Sequence, residues 1–174
     1  ATGLFGKWHL GEDGEYHPAR RGFDEAIVSM GQHFDFRTNP KTDYPPGQYL
    51  ADFLSERAVD FIQRHRDRPF FCYVAHNVVH RPLTEAVALV AKYRAKHGAD
   101  LPENNAIMGA MIERMDTGIG RLLALLLLAS VAFAQGSSAM PGMPAMKYNA
   151  NAELAGKIYK TKVNFSMSGS WSAG

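Results

Sequence analysis

The sequence predicts an α/β domain built on a partial parallel sheet, followed by a short β-type segment. Residues 49–66 show the periodicity of an amphipathic helix, and residues 70–75 form a continuous apolar run with the length of a buried strand. Two further helical segments, 85–96 and 103–123, follow that run. The succession of helix, buried strand and helices is the pattern of α/β domains with a parallel sheet.

The remaining elements of the first part follow from local composition. Residues 3–10 are apolar but interrupted by Gly6, which predicts a strand that runs into a loop. Residues 12–48 are rich in Gly, Pro, Asp and His without a sustained period, so we expect a long irregular connection. Arg68-Pro69 ends the first helix, and the strand that follows should be buried on both faces of the sheet.

Composition divides the chain near residue 121. All seven histidines and the one cysteine precede that residue, whereas the run from residue 122 to 134 carries no charge. We therefore expect three parts: 1–122, an apolar junction at 123–137, and 138–174. A single cysteine excludes an internal disulfide and a multi-thiolate zinc site made by this chain alone, and a net charge of +2 gives no nucleic-acid footprint.

The apolar run at 122–134 has two interpretations. It is shorter than the stretch of about 20 residues that a helix needs to span a bilayer, so we expect no integral membrane span. Its Leu-rich sequence and small-residue ending match a signal-peptide core and cleavage site, which belong at an N-terminus. The alternative is a buried helix end that continues from Met111. No such signal stands at the N-terminus of this chain.

Candidate functional side chains follow both predicted strands. Lys7 and His9 come just after the first strand, and His80 lies in the loop that leaves the second. Loops at the carboxyl ends of parallel strands meet at one edge of the sheet. Lysine offers a positive charge with several donors, and histidine offers a donor or a proton shuttle. The pattern indicates an anion site, although each residue alone also fits an ordinary loop.

The segment GKWHLG at residues 6–11 resembles the second signature of the sulfatases, members of the alkaline-phosphatase-like superfamily. Five further segments resemble motifs of the same family and occur in the same order, so the resemblance covers residues 1 to about 122. These segments are residues 18–25, 49–52 with 58–62, 68–71, 79–83 and 115–121.

The resemblance implies a sulfuric ester hydrolase in which a formylglycine nucleophile and one divalent cation, usually calcium, act on a sulfate ester. By position, Lys7 would bind a sulfate oxygen and His9 would hydrogen-bond the formylglycine. His80 would contact the sulfate or the leaving oxygen, so His9 and His80 are the catalytic candidates. The implied partner is a small sulfate ester or a sulfated glycan, and the implied location is periplasmic or secreted.

The chain departs from the family pattern at the nucleophile and at the metal site. The CxPSR nucleophile motif is absent, and Cys72 cannot replace it because it lies inside an apolar strand. One Asp-Asp pair of the calcium site would precede residue 1, and the Asp-Asn pair would follow the helix that carries Asp116. We therefore expect an inactive chain from a truncated or chimeric reading frame. Alternative metal ligands, which also fit solvated loop carboxylates, are Asp13, Glu15, Asp24 and Glu25.

The C-terminal part carries a separate hypothesis. Met140, Met143 and Met146 recur at three-residue steps, and thioethers select Cu(I), although a flexible Met/Pro linker has the same composition. Residues 156–167 alternate as in a half-buried antiparallel strand. Residues 138–174 resemble part of a YtkA-like (FixH-related) periplasmic β-sandwich domain. The alternative function is therefore a periplasmic copper-associated binding module.

Overall fold

The computed structural model of the protein describes residues 1–101, 103–136, 149–155 and 158–164. The chain divides into two compact units, Ala1–Ala132 and Phe133–Gly174. The division between these units lies ten residues beyond the end of the first part expected from composition (132 against 122). The sequence-based boundaries stay a prediction.

A four-stranded sheet with the order β3-β2-β1-β4 forms the centre of the first unit. Its strands are β1 (Thr2–Gly6), β2 (Glu25–Met30), β3 (Arg37–Asn39) and β4 (Phe71–Ala75). β1 pairs in parallel with both β2 and β4, whereas β3 runs antiparallel to β2. The sheet is therefore mixed, and its three parallel strands release their following loops at one edge.

Three α-helices of the described residues accompany the sheet. None of them is long and apolar enough to cross a membrane. They are α1 (Leu50–His65), α2 (Val87–Arg94) and α3 (Ala106–Gly136). The Asn105 side chain caps α3, because its Oδ1 accepts the backbone N–H groups of Ile107 and Met108 at 3.0 Å each. Two single-turn 3-10 helices, Gly14–Tyr16 and Pro18–Arg20, precede β2.

The main core lies where α1 packs on one face of the sheet. The apolar face of α1 is fully buried there, and the Phe5 and Phe61 rings meet edge to face with centroids 5.6 Å apart. A Cβ on Gly3 would lie 2.8 Å from the Phe61 ring, so glycine allows that ring to rest on the strand. The other face of the sheet buries Leu4, Ala26 and Val28.

α1 and α3 approach each other at a position without a side chain. A Cβ on Gly118 would lie 2.2 Å from Ser55 Oγ, so only glycine fits at this crossing. Ser55 is 1% exposed, and its hydroxyl donates to the Ala51 carbonyl at 2.8 Å. The close crossing brings polar residues of α3 within reach of α1 and of the loop that follows β4.

The fold class and the periodic elements are confirmed, and two expectations about strands are wrong. The helix over 49–66 appears as α1, and strands occupy both predicted positions. Residues 12–48 are not one irregular connection, because they contain β2 and β3. β4 is not buried on both faces: Phe71 is 58% and Tyr73 44% exposed, since β4 has a strand neighbour on one side only within the described sheet.

α3 continues through the apolar run at 122–134, as the helix-end interpretation predicts. The expected burial of that run is wrong for the first turns, where Leu123 is 54% and Leu127 41% exposed. Leu122 and Leu125 are partly buried against the main core. The signal-peptide interpretation stays untested.

The described part of the second unit is a two-stranded antiparallel sheet. Its strands are β5 (Asn149–Ala155) and β6 (Ile158–Asn164). The antiparallel strand predicted within 156–167 is therefore confirmed over β6, whereas Phe165 and Met167 lie outside the described residues. Met140, Met143 and Met146 also lie outside them.

Phe61 and Phe71 offer a matched test of where the core lies. Phe61→Ala should lower the free energy of unfolding by about 3–5 kcal/mol, because it leaves a cavity between α1 and β1. Phe71→Ala removes the same side chain from a position that is 58% exposed and should cost about 1 kcal/mol or less. Urea unfolding followed by circular dichroism measures both, and equal losses would contradict this placement of the core.

Candidate functional site

Three loops leave the sheet at the edge formed by the carboxyl ends of its parallel strands. Residues 7–11 follow β1, residues 31–36 follow β2, and residues 76–86 follow β4. We call the third of these the β4 loop. Such an edge is where α/β sheets place their sites, because loops from neighbouring strands converge there.

Gly6 allows the end of β1, where the first loop begins, to approach the end of β4, where the third loop begins. Its φ is +129°, and a Cβ at this position would lie 2.0 Å from the Ala75 carbonyl oxygen at the end of β4. The next residue completes the contact, since the Lys7 N–H donates to that same oxygen at 2.8 Å. Lys7 and His76 therefore leave adjacent strands side by side.

Trp8 fixes the loop that carries Lys7 and His9. Its indole N–H donates to the Tyr16 carbonyl at 3.0 Å, and its ring packs edge to face on Phe23. Lys7 is half-buried and His9 is exposed. Within the described part of the chain no ion pair engages the Lys7 ammonium, so its charge is available to an anion.

His80 lies exposed on the β4 loop with one ring nitrogen already engaged. Its Nδ1 donates to the Arg81 carbonyl at 2.6 Å, which leaves Nε2 for a ligand. The neutral ring therefore presents the Nε2 lone pair, and the ring becomes a donor toward an anion once protonated. The His80 backbone is held as well, because its N–H donates to the Asn77 carbonyl at 2.7 Å.

Side chains from β2, α1 and α3 hold the β4 loop in place. Ser29 Oγ on β2 donates to Asn77 Oδ1 at 2.8 Å, near the start of the loop. The Tyr49 hydroxyl, at the N-terminus of α1, donates to the Thr84 carbonyl at 3.1 Å. Burial raises the pKa of Tyr49, so this hydroxyl keeps its proton.

Arg114 ties the end of the β4 loop to two helices. Its guanidinium on α3 forms a forked pair with the Glu85 carboxylate, with Nε and Nη2 as donors at 2.7–2.9 Å. Its Nη1 donates to Asp52 on α1 at 2.7 Å. The Glu85 side chain is fully buried, and the Arg114 charge lies 4.8 Å from the centre of the Tyr49 ring.

His76 is the first residue of the β4 loop, and both of its ring nitrogens are buried without a hydrogen-bond partner among the described residues. Burial lowers the pKa of His76 below its ordinary value near 6.5, and the nearby Asp52 carboxylate opposes this shift only in part. The ring is therefore neutral at neutral pH.

Cys72 does not have the properties of a nucleophile. It lies within β4, where burial raises the pKa of its thiol to about 11, with a smaller contribution from the Glu25 carboxylate. The thiolate is the reactive form of cysteine, so Cys72 stays protonated and unreactive near neutral pH.

Of the four carboxylates considered as alternative metal ligands, Asp13, Asp24 and Glu25 form hydrogen bonds or ion pairs within the fold. Asp24 Oδ2 accepts the Thr2 N–H at 2.8 Å, and the hydrogen bonds from Thr2 lower the pKa of Asp24. Asp13 accepts from Asn39 at 2.8 Å, and Glu25 pairs with Arg64 at 2.8 Å. Glu15 is exposed.

No group of three carboxylate, histidine or cysteine side chains among the described residues is placed to hold a metal ion. Asp116 is exposed on α3 and joins no such group. The calcium that the family resemblance implies therefore finds no fitting ligand set in the described part of this chain.

The loops that follow the adjacent strands β1 and β4 thus place three predicted site residues at one edge of the sheet: Lys7, His9 and His80. That their side chains converge on one anion stays a prediction. An open cleft lined by other residues, among them Arg20, Arg21 and Asn39, includes none of these three. Sequence reasoning missed Tyr49, Arg114 and His33, of which the last donates to the His80 carbonyl, because the partners that these residues contact in the β4 loop are distant in sequence.

Comparisons with known proteins match this arrangement to one family. The family model "Sulfatase" matches residues 1–133. N-acetylgalactosamine-6-sulfatase of Canis lupus familiaris is 30% identical over 148 residues, which cover 71% of this chain and 26% of that protein. Arylsulfatase G of Rattus norvegicus is 27% identical over 157 residues, which cover 66% of this chain and 30% of that protein.

A solved structure is similar to the same part of the chain. The crystal structure of Ps i-CgsB in complex with k-i-k-neocarrahexaose matches with a TM-score of 0.61 at 26% identity, covering 74% of this chain and 34% of that chain. The chain spans less than a third of the length of the two curated relatives above, which it covers to 26% and 30%.

The buried His76 predicts a pH dependence of stability. Because its pKa is lowered in the folded state, the unfolded chain binds more protons, so stability is full above the ordinary histidine pKa and falls as the pH drops below it. His76→Phe should flatten the dependence of the free energy of unfolding between about pH 7.5 and 5. Urea unfolding across that range measures it, with His97→Phe, which replaces an exposed histidine, as the control. A wild-type slope in His76→Phe would contradict the assignment.

Proposed function

The chain belongs to the sulfatase family, and from this premise we propose that residues 1–122 bind sulfate esters through Lys7, His9 and His80. The observation that carries the proposal is the edge at which β1 and β4 end. There the Lys7 backbone bonds to the end of β4, and the Lys7 ammonium has no ion pair among the described residues.

Each residue has a role that its chemistry supports. The Lys7 ammonium offsets the charge of a sulfate oxygen, and its fixed backbone reduces the entropy lost when the anion binds. His80, whose Nδ1 donates to the neighbouring Arg81 carbonyl, presents Nε2 to the sulfate group or to its bridging ester oxygen. His9 is exposed and, in the absence of the formylglycine that the family places beside it, is available to the sulfate group.

The sequence lacks the sulfatase nucleophile motif, and its described residues do not fit calcium. The sequence holds no CxPSR motif, and its single cysteine is the half-buried Cys72, whose thiol has a raised pKa. The described residues provide no metal-binding cluster. We therefore propose that these 174 residues bind sulfate esters without hydrolysing them.

Relatives indicate the class of ligand. One is named N-acetylgalactosamine-6-sulfatase, and a similar structure was solved with a neocarrahexaose. These two names indicate a sulfated sugar, whereas the name arylsulfatase G indicates an aryl sulfate. We propose the sulfated sugar because the similar structure holds a bound oligosaccharide, and a sulfated glycan fits a secreted or periplasmic location. Copper binding by Met140, Met143 and Met146 lies outside the described residues and forms no part of this proposal.

A titration with inorganic sulfate tests the binding role of Lys7. Wild-type protein should bind sulfate, and Lys7→Ala should bind at least about tenfold more weakly, because a charge-assisted hydrogen bond contributes about 1.5–3 kcal/mol. Lys41→Ala is the matched control, since it removes the same charge from an exposed loop position. Isothermal titration calorimetry at low ionic strength measures all three affinities.

Two results would contradict the proposal. Negligible binding by the wild-type protein would exclude a sulfate site in this chain. Equal losses of sulfate affinity in Lys7→Ala and Lys41→Ala would show that only the net charge matters, because long-range attraction and its screening act on both positions alike.

A further inference from the structure

We propose that His33 is a positioning residue for His80. Its side chain holds the His80 backbone through one hydrogen bond. The inference rests on the proposed role of His80 in sulfate binding. Neither the family match nor the sequence motifs assign a role to His33.

The geometry that carries this inference is a contact across 47 residues of sequence. His33 lies in the loop after β2, and its Nε2 is 2.8 Å from the His80 carbonyl oxygen on the β4 loop. His33 is 2% exposed, whereas His80 is exposed. A buried side chain therefore fixes the backbone of an exposed residue at the candidate site.

The chemistry of this contact determines the tautomer of His33. A carbonyl oxygen only accepts, so Nε2 carries the proton, and Nδ1 is buried without a hydrogen-bond partner among the described residues. A ring that served only to fill space would need no donor here. An apolar ring would avoid the cost of the unpartnered nitrogen.

Tyr49 keeps the His33 ring in the orientation that the hydrogen bond needs. The two rings stack with centroids 5.5 Å apart and an angle of 9° between their planes. Tyr49 is itself 2% exposed, and its hydroxyl bonds to the Thr84 carbonyl. The bonds from His33 and Tyr49 therefore hold the β4 loop at residues 80 and 84, on either side of the Arg81-Pro82 segment.

The consequence concerns where His80 stands relative to Lys7. Lys7 is fixed by β4 itself, whereas His80 follows β4 by five positions and depends on contacts from other elements. A small displacement of a positioned group can lower affinity or rate by a large factor. Loss of the His33 bond should therefore weaken sulfate binding without changing Lys7.

Two variants separate the hydrogen bond from packing. His33→Phe keeps an aromatic ring for the Tyr49 stack but has no donor, whereas His33→Gln loses the ring and keeps a side-chain N–H. We expect His33→Phe to bind sulfate about tenfold more weakly than wild type, and His33→Gln to recover most of that loss. A role in packing alone predicts the opposite order. Thermal unfolding establishes that both variants fold.

A spectroscopic measurement on the wild-type chain needs neither variant. The nitrogen-15 shifts of the His33 ring should show the tautomer protonated at Nε2, and the carbonyl carbon-13 shift of His80 should show an accepted hydrogen bond. In His33→Phe that carbonyl shift should move, and in His33→Gln it should return toward the wild-type value.

The outcomes distinguish this inference from the proposed function. A His33 ring protonated at Nδ1, or a His80 carbonyl shift unchanged in His33→Phe, would overturn the positioning role. If the wild-type protein binds no sulfate while these shifts behave as expected, the proposed function fails and the structural link between His33 and His80 stands.

Discussion

The close approach of β1 and β4 at Gly6 is the constraint on which the candidate site depends. A side chain at Gly6 would collide with the Ala75 carbonyl, and that same oxygen accepts the Lys7 N–H. The two strands therefore end in contact, and the residues that follow them begin at neighbouring positions. Because β1 also pairs in parallel with β2, the loop that holds His33 leaves the same edge. The placement of Lys7, His33 and the β4 loop thus follows from strand pairing.

The β4 loop owes its conformation to a polar network rather than to apolar packing. Arg114 pairs with the buried Glu85 and with Asp52, which joins α3, α1 and the loop in one cluster. A buried charge is costly unless it is hydrogen-bonded, and here Arg114 forms a fork with Glu85 and donates separately to Asp52. Gly118, one turn further along α3, permits the close helix crossing that makes this reach possible. Such a network favours one loop geometry over others.

The sequence predicts those features of the fold that depend on local pattern. The periodicity of α1 and the apolar runs of β1 and β4 identify these elements, and the strand ends identify Lys7 and His80 as candidates. β2 is not predicted because its apolar stretch is short and lies inside a segment rich in turn-forming residues. The exposure of Phe71 and Tyr73 depends on strand order, which no local pattern contains. The role of His33 is not predicted because its partner, the His80 carbonyl, is 47 residues away in sequence.

The central claim is that the edge formed by β1 and β4 holds a sulfate-sized anion. Selenate has the shape and charge of sulfate, and its selenium scatters X-rays anomalously, so a crystal soaked in selenate locates the anion directly. We expect an anomalous peak within hydrogen-bonding reach of Lys7 Nζ and His80 Nε2. A peak confined to the cleft near Arg20 and Arg21, or no peak at selenate concentrations that saturate the protein in solution, would contradict the claim.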